Sequence, residues 1–182
     1  IRNFTYKNFK NLNFTYKRND IYSETNTGYS LLLAREFVGA GDFVKFDADV
    51  VFEFKILKKL INCPHSALCI DRNINLEAEE VKVRVDESGK IVEVGKSMDP
   101  KLALGESIGI EKINSDAGKV LFAELEDLMK DKANYSRYYD DSYPTIVKAG
   151  LPMTAVDITG LKWVEIDTHD DYELSLIHIS EP

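Results

Sequence analysis

The chain has 182 residues, is 44% hydrophobic and 30% charged, and carries a formal net charge of −8. This is enough chain for one globular domain. The acidic balance argues against a nucleic-acid surface, which would show a basic field, and no apolar run approaches the ~20 residues a membrane span needs. Two cysteines, Cys63 and Cys69, are too few for a disulfide framework and read as reduced thiols, so cytoplasm is the expected location.

In chain order, Leu12 to Lys17 alternates apolar and polar residues and predicts a short strand. Tyr29 to Val38 has helical spacing and stops at Gly39 and Gly41. Phe43 to Val51 is a β-rich run interrupted by Asp47-Ala48-Asp49, which predicts a buried strand ending in acids, followed by a helix from Phe54 to Ile61. Ser66 to Ile70 is a strand. Val81 to Val85 and Ile91 to Val94 flank Asp86-Glu87-Ser88-Gly89, a hairpin signal. Ser107 to Ile113 is a strand, and Ser115 is expected to cap the helix that follows. Asp141 to Ala149 predicts a helix closed by Gly150. Thr154 to Ile158 and Trp163 to Ile166 are strands, and Thr168 is placed to cap a last helix with Asp170 and Asp171 in its first turn. Alternation of strands and helices predicts an α/β fold: a three-layer, mixed, mainly parallel sheet with helices on both faces.

Two acidic segments stand out. Acids at the end of a buried strand, as at Asp47 and Asp49, sit where open α/β sheets bind ligands. A metal ion would satisfy Asp49, although an acid there also serves as a cap or turn residue. In Trp163-Val164-Glu165-Ile166-Asp167-Thr168, Glu165 and Asp167 share one strand face and repel unless a cation lies between them, while on this segment alone a solvated strand end with Asp167 as a cap is the better reading. His65 and His169 have no ligand companions at metal spacing. Lys45 and Lys96 are read as solvated, or as phosphate contacts.

Four segments together resemble the MobA-like nucleotidyltransferases, in the branch of the phosphocholine cytidylyltransferases. Thr25-Asn26-Thr27-Gly28-Tyr29-Ser30-Leu31 resembles the family's TNNxxSL segment, Asp47 to Phe52 its GDVVF strand, Gly105 to Ile110 its GESIGI segment, and Trp163 to Thr168 its WVEIDT segment. The resemblance implies a nucleotide-binding (GT-A/Rossmann-like) fold and transfer of CMP from CTP to a phosphorylated alcohol, with phosphocholine as the first acceptor. It implies Asp49 and Asp167 as Mg²⁺ ligands and catalytic acids, and Thr25, Asn26 and Ser30 at the nucleotide base. It also implies Glu106, Tyr139, Asp140, Asp141, Trp163 and Glu165 around the acceptor, with the tyrosines and Trp163 forming a cage for a quaternary ammonium. A sugar 1-phosphate or 2-aminoethylphosphonate enzyme, or a non-catalytic nucleotide-binding regulatory domain, shares most of these features.

The family's glycine-rich phosphate loop has no counterpart in the chain, and Leu174 to Pro182 resembles a translated sequencing adaptor. Residues 1–173 are therefore read as a partial domain that lacks its phosphate loop and is inactive alone, and 174–182 as an adaptor-derived tail.

Overall fold

The computed structural model describes residues 1–72, 76, 78 and 80–178. The last four residues of the adaptor-like stretch lie outside the described residues. Helices are α1 (Arg2–Asn8), α2 (Thr27–Leu33), α3 (Arg35–Val38), α4 (Phe54–Ile61), α5 (Ser115–Leu128), α6 (Tyr143–Lys148) and α7 (His169–His178). Strands are β1 (Phe43–Phe46), β2 (Val50–Phe52), β3 (Ser66–Asp71), β4 (Lys82–Val85), β5 (Ile91–Gly95), β6 (Gly105–Ile113), β7 (Met153–Asp157) and β8 (Trp163–Glu165).

The main sheet has the order β5-β4-β6-β3-β7, with β1 added along β6 and β2 and β8 forming a separate two-stranded ribbon. Strand β6 is the spine: it pairs antiparallel with β1 and β4 at its two ends, and with β3 on the other side. The three-layer mixed α/β architecture expected from the pattern is present. The parallel majority is not: among the described strands only β3 and β7 run parallel. Alternating strands and helices suggest successive crossovers to a neighbouring strand, but α4 carries the chain across the spine, so β3 pairs with β6 and not with β1.

The layers follow from side-chain alternation in β3, whose six residues are all buried. Leu68 and Ile70 face one core with Leu121, Phe122 and Leu125 of α5 and Ile146 of α6. Ala67 and Cys69 face the other, with Ile56 and Leu60 of α4 and with Ile108, Ile110 and Val156. A strand buried on both faces reads as a continuous apolar run, as this one does. Fully burying one such Leu or Ile is worth about 1.5–3 kcal/mol. The Cys69 thiol is pushed up to about 12 by burial, as an inert core group should be.

Several local expectations shift. Residues 12–17 form no strand; their alternation instead gathers Phe14 and Tyr16 against Tyr6, with ring centroids 6.4 and 5.9 Å from it. An aromatic face needs only a packing partner, whereas a strand needs a backbone partner. The helix from Tyr29 breaks at Ala34 into α2 and α3. At the start of α5 the capping group is Asp42, whose carboxylate accepts from the Ser115 backbone N–H at 2.8 Å, and Ser115 is the first helical residue. At α7 the expected cap is present: the Thr168 hydroxyl oxygen accepts from the Asp171 backbone N–H at 3.3 Å, and Asp171 Oδ2 accepts in return from the Thr168 backbone N–H at 2.8 Å.

Gly105, at the start of β6, lies against β3 so closely that a Cβ there would come within 2.2 Å of the Asp71 carbonyl oxygen. Backbone cannot swing away as a side chain can. Gly105→Ala is expected to cost about 2–3 kcal/mol, roughly 5–10 °C in Tm. A thermal melt unchanged from wild type would show that β3 and β6 are spaced more loosely than described.

Candidate functional site

The β-rich run of residues 43–51 cannot stay in one sheet. Strand β1 ends at Phe46, the chain turns through Asp47, Ala48 and Asp49, and β2 starts at Val50 in the other sheet. The Phe46 and Phe52 rings stack across this break, 5.6 Å apart and nearly parallel. The turn therefore delivers two acids to different places.

Asp49 faces outward. Its carbonyl accepts from the Ile166 N–H at 2.9 Å, and Val50 is in register with Glu165. Oxygens of Asp49, Glu165 and Asp167, all exposed residues, lie within 4.8 Å of one another. The carboxyl of Glu165 is raised from its ordinary value, first by partial burial and then by the charges of Asp167 and Asp49. Three hard oxygen donors crowded in this way fit a divalent cation of the Mg²⁺ kind.

Asp47 faces inward. Its backbone N–H donates to the Gly109 carbonyl at 2.9 Å, and its carboxylate accepts from Lys45 Nζ at 3.0 Å and from the Tyr139 hydroxyl at 2.8 Å. Gly109 has φ +72°, and a Cβ there would lie 2.2 Å from Asp47 Oδ2, so both backbone and space demand glycine. Lys45 also pairs with Glu111 at 2.9 Å, and these two residues are register partners on β1 and β6. Glu111 is 1% exposed, and burial pushes its carboxyl up to about 7 against the pull of Lys45. Burial and the neighbouring Glu111 likewise hold the Tyr139 hydroxyl protonated, so it stays a donor to Asp47.

These groups floor a cleft of about 630 Å³ that runs past Asp49 and Glu165 and on to Ser30, Glu106 and Asp140. Glu106 is 8% exposed, and its carboxyl is pushed up to about 7 by burial and then by Glu80, Glu165 and Asp71. Asp140, nearly buried, is raised for the same first reason.

Not every expected site residue reaches the cleft. Ser30 lines it, together with Thr27, which the sequence did not single out. Thr25 and Asn26 do not: the Thr25 hydroxyl donates to the Ile21 carbonyl at 3.1 Å, and Asn26 caps α2 by accepting from the Thr27 N–H at 2.8 Å. Tyr139, Asp140, Glu106 and Glu165 line the cleft, whereas Asp141 is exposed and pairs with Arg137. Trp163 packs on the α4 side and donates to Asp71 Oδ2 at 2.7 Å, so it does not join the tyrosines. Of the expected aromatic cage, Tyr138 and Tyr139 line the cleft, while Trp163 and the buried Tyr143 do not. Lys45, expected in solvent or on a phosphate, is 10% exposed on its side chain and tied to two carboxylates. Its nearness in sequence to Asp47 was legible, but its partner on β6 was not.

No family model and no curated protein sequence matches the chain. Solved structures do match. An inositol-1-phosphate CTP transferase from T. maritima has TM-score 0.65 and 22% identity over 84% of this chain and 62% of its own. A CTP:phosphocholine cytidylyltransferase from Streptococcus pneumoniae has TM-score 0.66 and 18% identity over 87% of this chain and 66% of its own. A structure described as a glucose-1-phosphate thymidylyltransferase from Bacillus anthracis has TM-score 0.73 and 19% identity over 94% of this chain and 67% of its own. The chain thus has the fold of these nucleotidyltransferases and spans about two thirds of their length or slightly less.

The raised Glu106 carboxyl has a consequence for stability. The folded protein holds this proton more tightly than the unfolded chain does, so the contribution falls as pH rises from the ordinary carboxylate range to about 7, then levels off. In metal-free buffer the wild-type Tm should drop between pH 5 and pH 8. Glu106→Gln should shrink that drop by raising the Tm at pH 8. An identical drop in the variant would show that Glu106 titrates normally.

Proposed function

We propose that residues 1–173 form the larger part of a Mg²⁺-dependent nucleotidyltransferase domain that transfers CMP from CTP to a phosphorylated alcohol and releases pyrophosphate. The observation that carries this reading is the convergence of Asp49, Glu165 and Asp167 from two strand ends at the edge of a cleft large enough for a nucleotide and an acceptor. The similar folds named above, all nucleotidyltransferases, support it.

The nucleophile in such a transfer is a phosphate oxygen, already anionic, so the protein's task is positioning and charge neutralisation rather than proton abstraction. That matches a cleft with carboxylates and no Ser-His or Cys-His pair among its lining residues. A divalent cation held by the three carboxylates would neutralise charge on the phosphates. Ser30 and Thr27 offer hydroxyls to the nucleotide at one end, and Glu106 and Asp140 offer acceptors to the alcohol at the other. With no glycine-rich loop to cradle a triphosphate, the 182-residue chain is read as inactive by itself. A cytoplasmic location belongs to the same reading.

Phosphocholine is the acceptor that the sequence favours. One observation favours a second, a sugar 1-phosphate or similar hydroxylated phosphate: the tyrosine rings of the cleft already carry lysines, Lys45 Nζ at 3.5 Å from the Tyr139 centroid and Lys96 Nζ at 4.4 Å from that of Tyr138.

Two measurements test the proposal. In the full-length gene product, CTP with the correct acceptor should release pyrophosphate, and Asp49→Ala or Asp167→Ala should lower the rate by at least about 10²-fold with the melt unchanged. Full turnover in either variant would end the assignment. In the 182-residue chain, Mn²⁺ followed by electron paramagnetic resonance should bind, and Asp167→Ala should weaken it by about tenfold or more. Equal binding by the variant would place the metal elsewhere.

A further inference from the structure

A ring that recognises a quaternary ammonium must offer it an open face. Tyr139, on the floor of the cleft, is 7% exposed. The Lys45 ammonium stands 3.5 Å from its centroid, and the Tyr143 ring packs 5.8 Å away at 58°. Lys45 is held there by Asp47 at 3.0 Å and Glu111 at 2.9 Å. This is the arrangement a cation cage would give a bound ligand, an ammonium over a tyrosine with carboxylates beside it, and a side chain of the protein occupies it.

Of the other aromatics at the cleft, Tyr138 carries Lys96 on its ring and Phe46 is stacked on Phe52, while Tyr143 is 1% exposed and Trp163 is turned to Asp71. The cleft does present Glu106, 8% exposed and opposite Lys82 in the sheet register, as a carboxyl lining its wall. Hydroxyl groups of a ligand can donate to such a group without adding charge.

We propose that Lys45 is the residue that sets acceptor specificity: as a resident cation on Tyr139 it excludes quaternary ammonium groups, so the cleft takes a phosphorylated alcohol whose free end carries hydroxyls. This rests on the nucleotidyltransferase reading for the word acceptor, but the exclusion itself is a binding property and is measured without turnover. Lys45 acts by occupancy and charge; it takes no part in the transfer.

The experiment is a titration of the 182-residue chain with choline chloride, followed by tyrosine-ring NMR shifts and calorimetry. Wild type should show no saturable binding at Tyr139. Lys45→Val/Glu111→Gln removes the resident cation and neutralises the more buried of the two carboxylates it would leave without it. This variant should bind choline at least about tenfold more tightly than wild type, a gain removed by adding Tyr139→Leu. If the double variant lacks a cooperative melt, Lys45→Gln is titrated instead with the same expectation. Choline binding by wild type as tight as by the folded variant, or no gain in any folded variant, would overturn the proposal. In a parallel titration glucose 1-phosphate should bind wild type more tightly than phosphocholine, and the reverse order would also overturn it. A failure of pyrophosphate release in the full-length protein would leave these binding outcomes untouched, so the two readings can fail separately.

Discussion

Glu111 sits in the C-terminal half of the longest strand of the sheet at 1% exposure, and a carboxylate there must either keep its proton or find a cation. Lys45 is that cation, supplied by the neighbouring strand in direct register. A buried pair of this sort adds little net stability, because the attraction mainly repays the loss of water. Its effect is to specify geometry. Once Lys45 is anchored to Glu111, Asp47 and Tyr139 are drawn to the same point, and the chain has to leave the sheet immediately afterwards.

That exit produces the two-sided character of the site. Asp47 and Asp49 are separated by one residue, yet one closes a buried network and the other meets Glu165 and Asp167 at the surface. The turn between β1 and β2 sorts them, and Gly109 makes room for the inner one. Charge is graded accordingly. At the floor a lysine balances the acids. Along the wall Glu106 and Asp140 are raised by burial. At the edge three acids, Asp49, Glu165 and Asp167, face one another. A polyanionic nucleotide could approach such a cleft only with a cation at that edge, which is why the metal and nucleotide readings stand or fall together.

Much of this was legible in the sequence. The strand at Ser66 to Ile70, the hairpin residues at 86–89, the Thr168 cap and the acids at 47, 49, 165 and 167 could be read in order, because each depends on local spacing or on a side chain bonding its own backbone. The three-layer α/β class followed from the same periodicities. Local signals also misled where they were local only. Alternation at residues 12–17 described an aromatic face and not a strand, Thr25 and Asn26 were spent on their own turn and cap, and Trp163 looked toward Asp71.

What the tertiary structure alone decided was pairing. Whether a strand runs parallel or antiparallel to its neighbour, which residue of β6 faces Lys45, and which aromatic face remains open are set by contacts between segments about 65–95 residues apart, such as Lys45 with Glu111 and Tyr139 with Asp47. No spacing rule within a segment encodes those distances. The sequence by itself determined which residue types stand at the ends of which strands; the fold determined that Asp49 from one strand end and Glu165 and Asp167 from another would share a surface point while a lysine covered the tyrosine behind them.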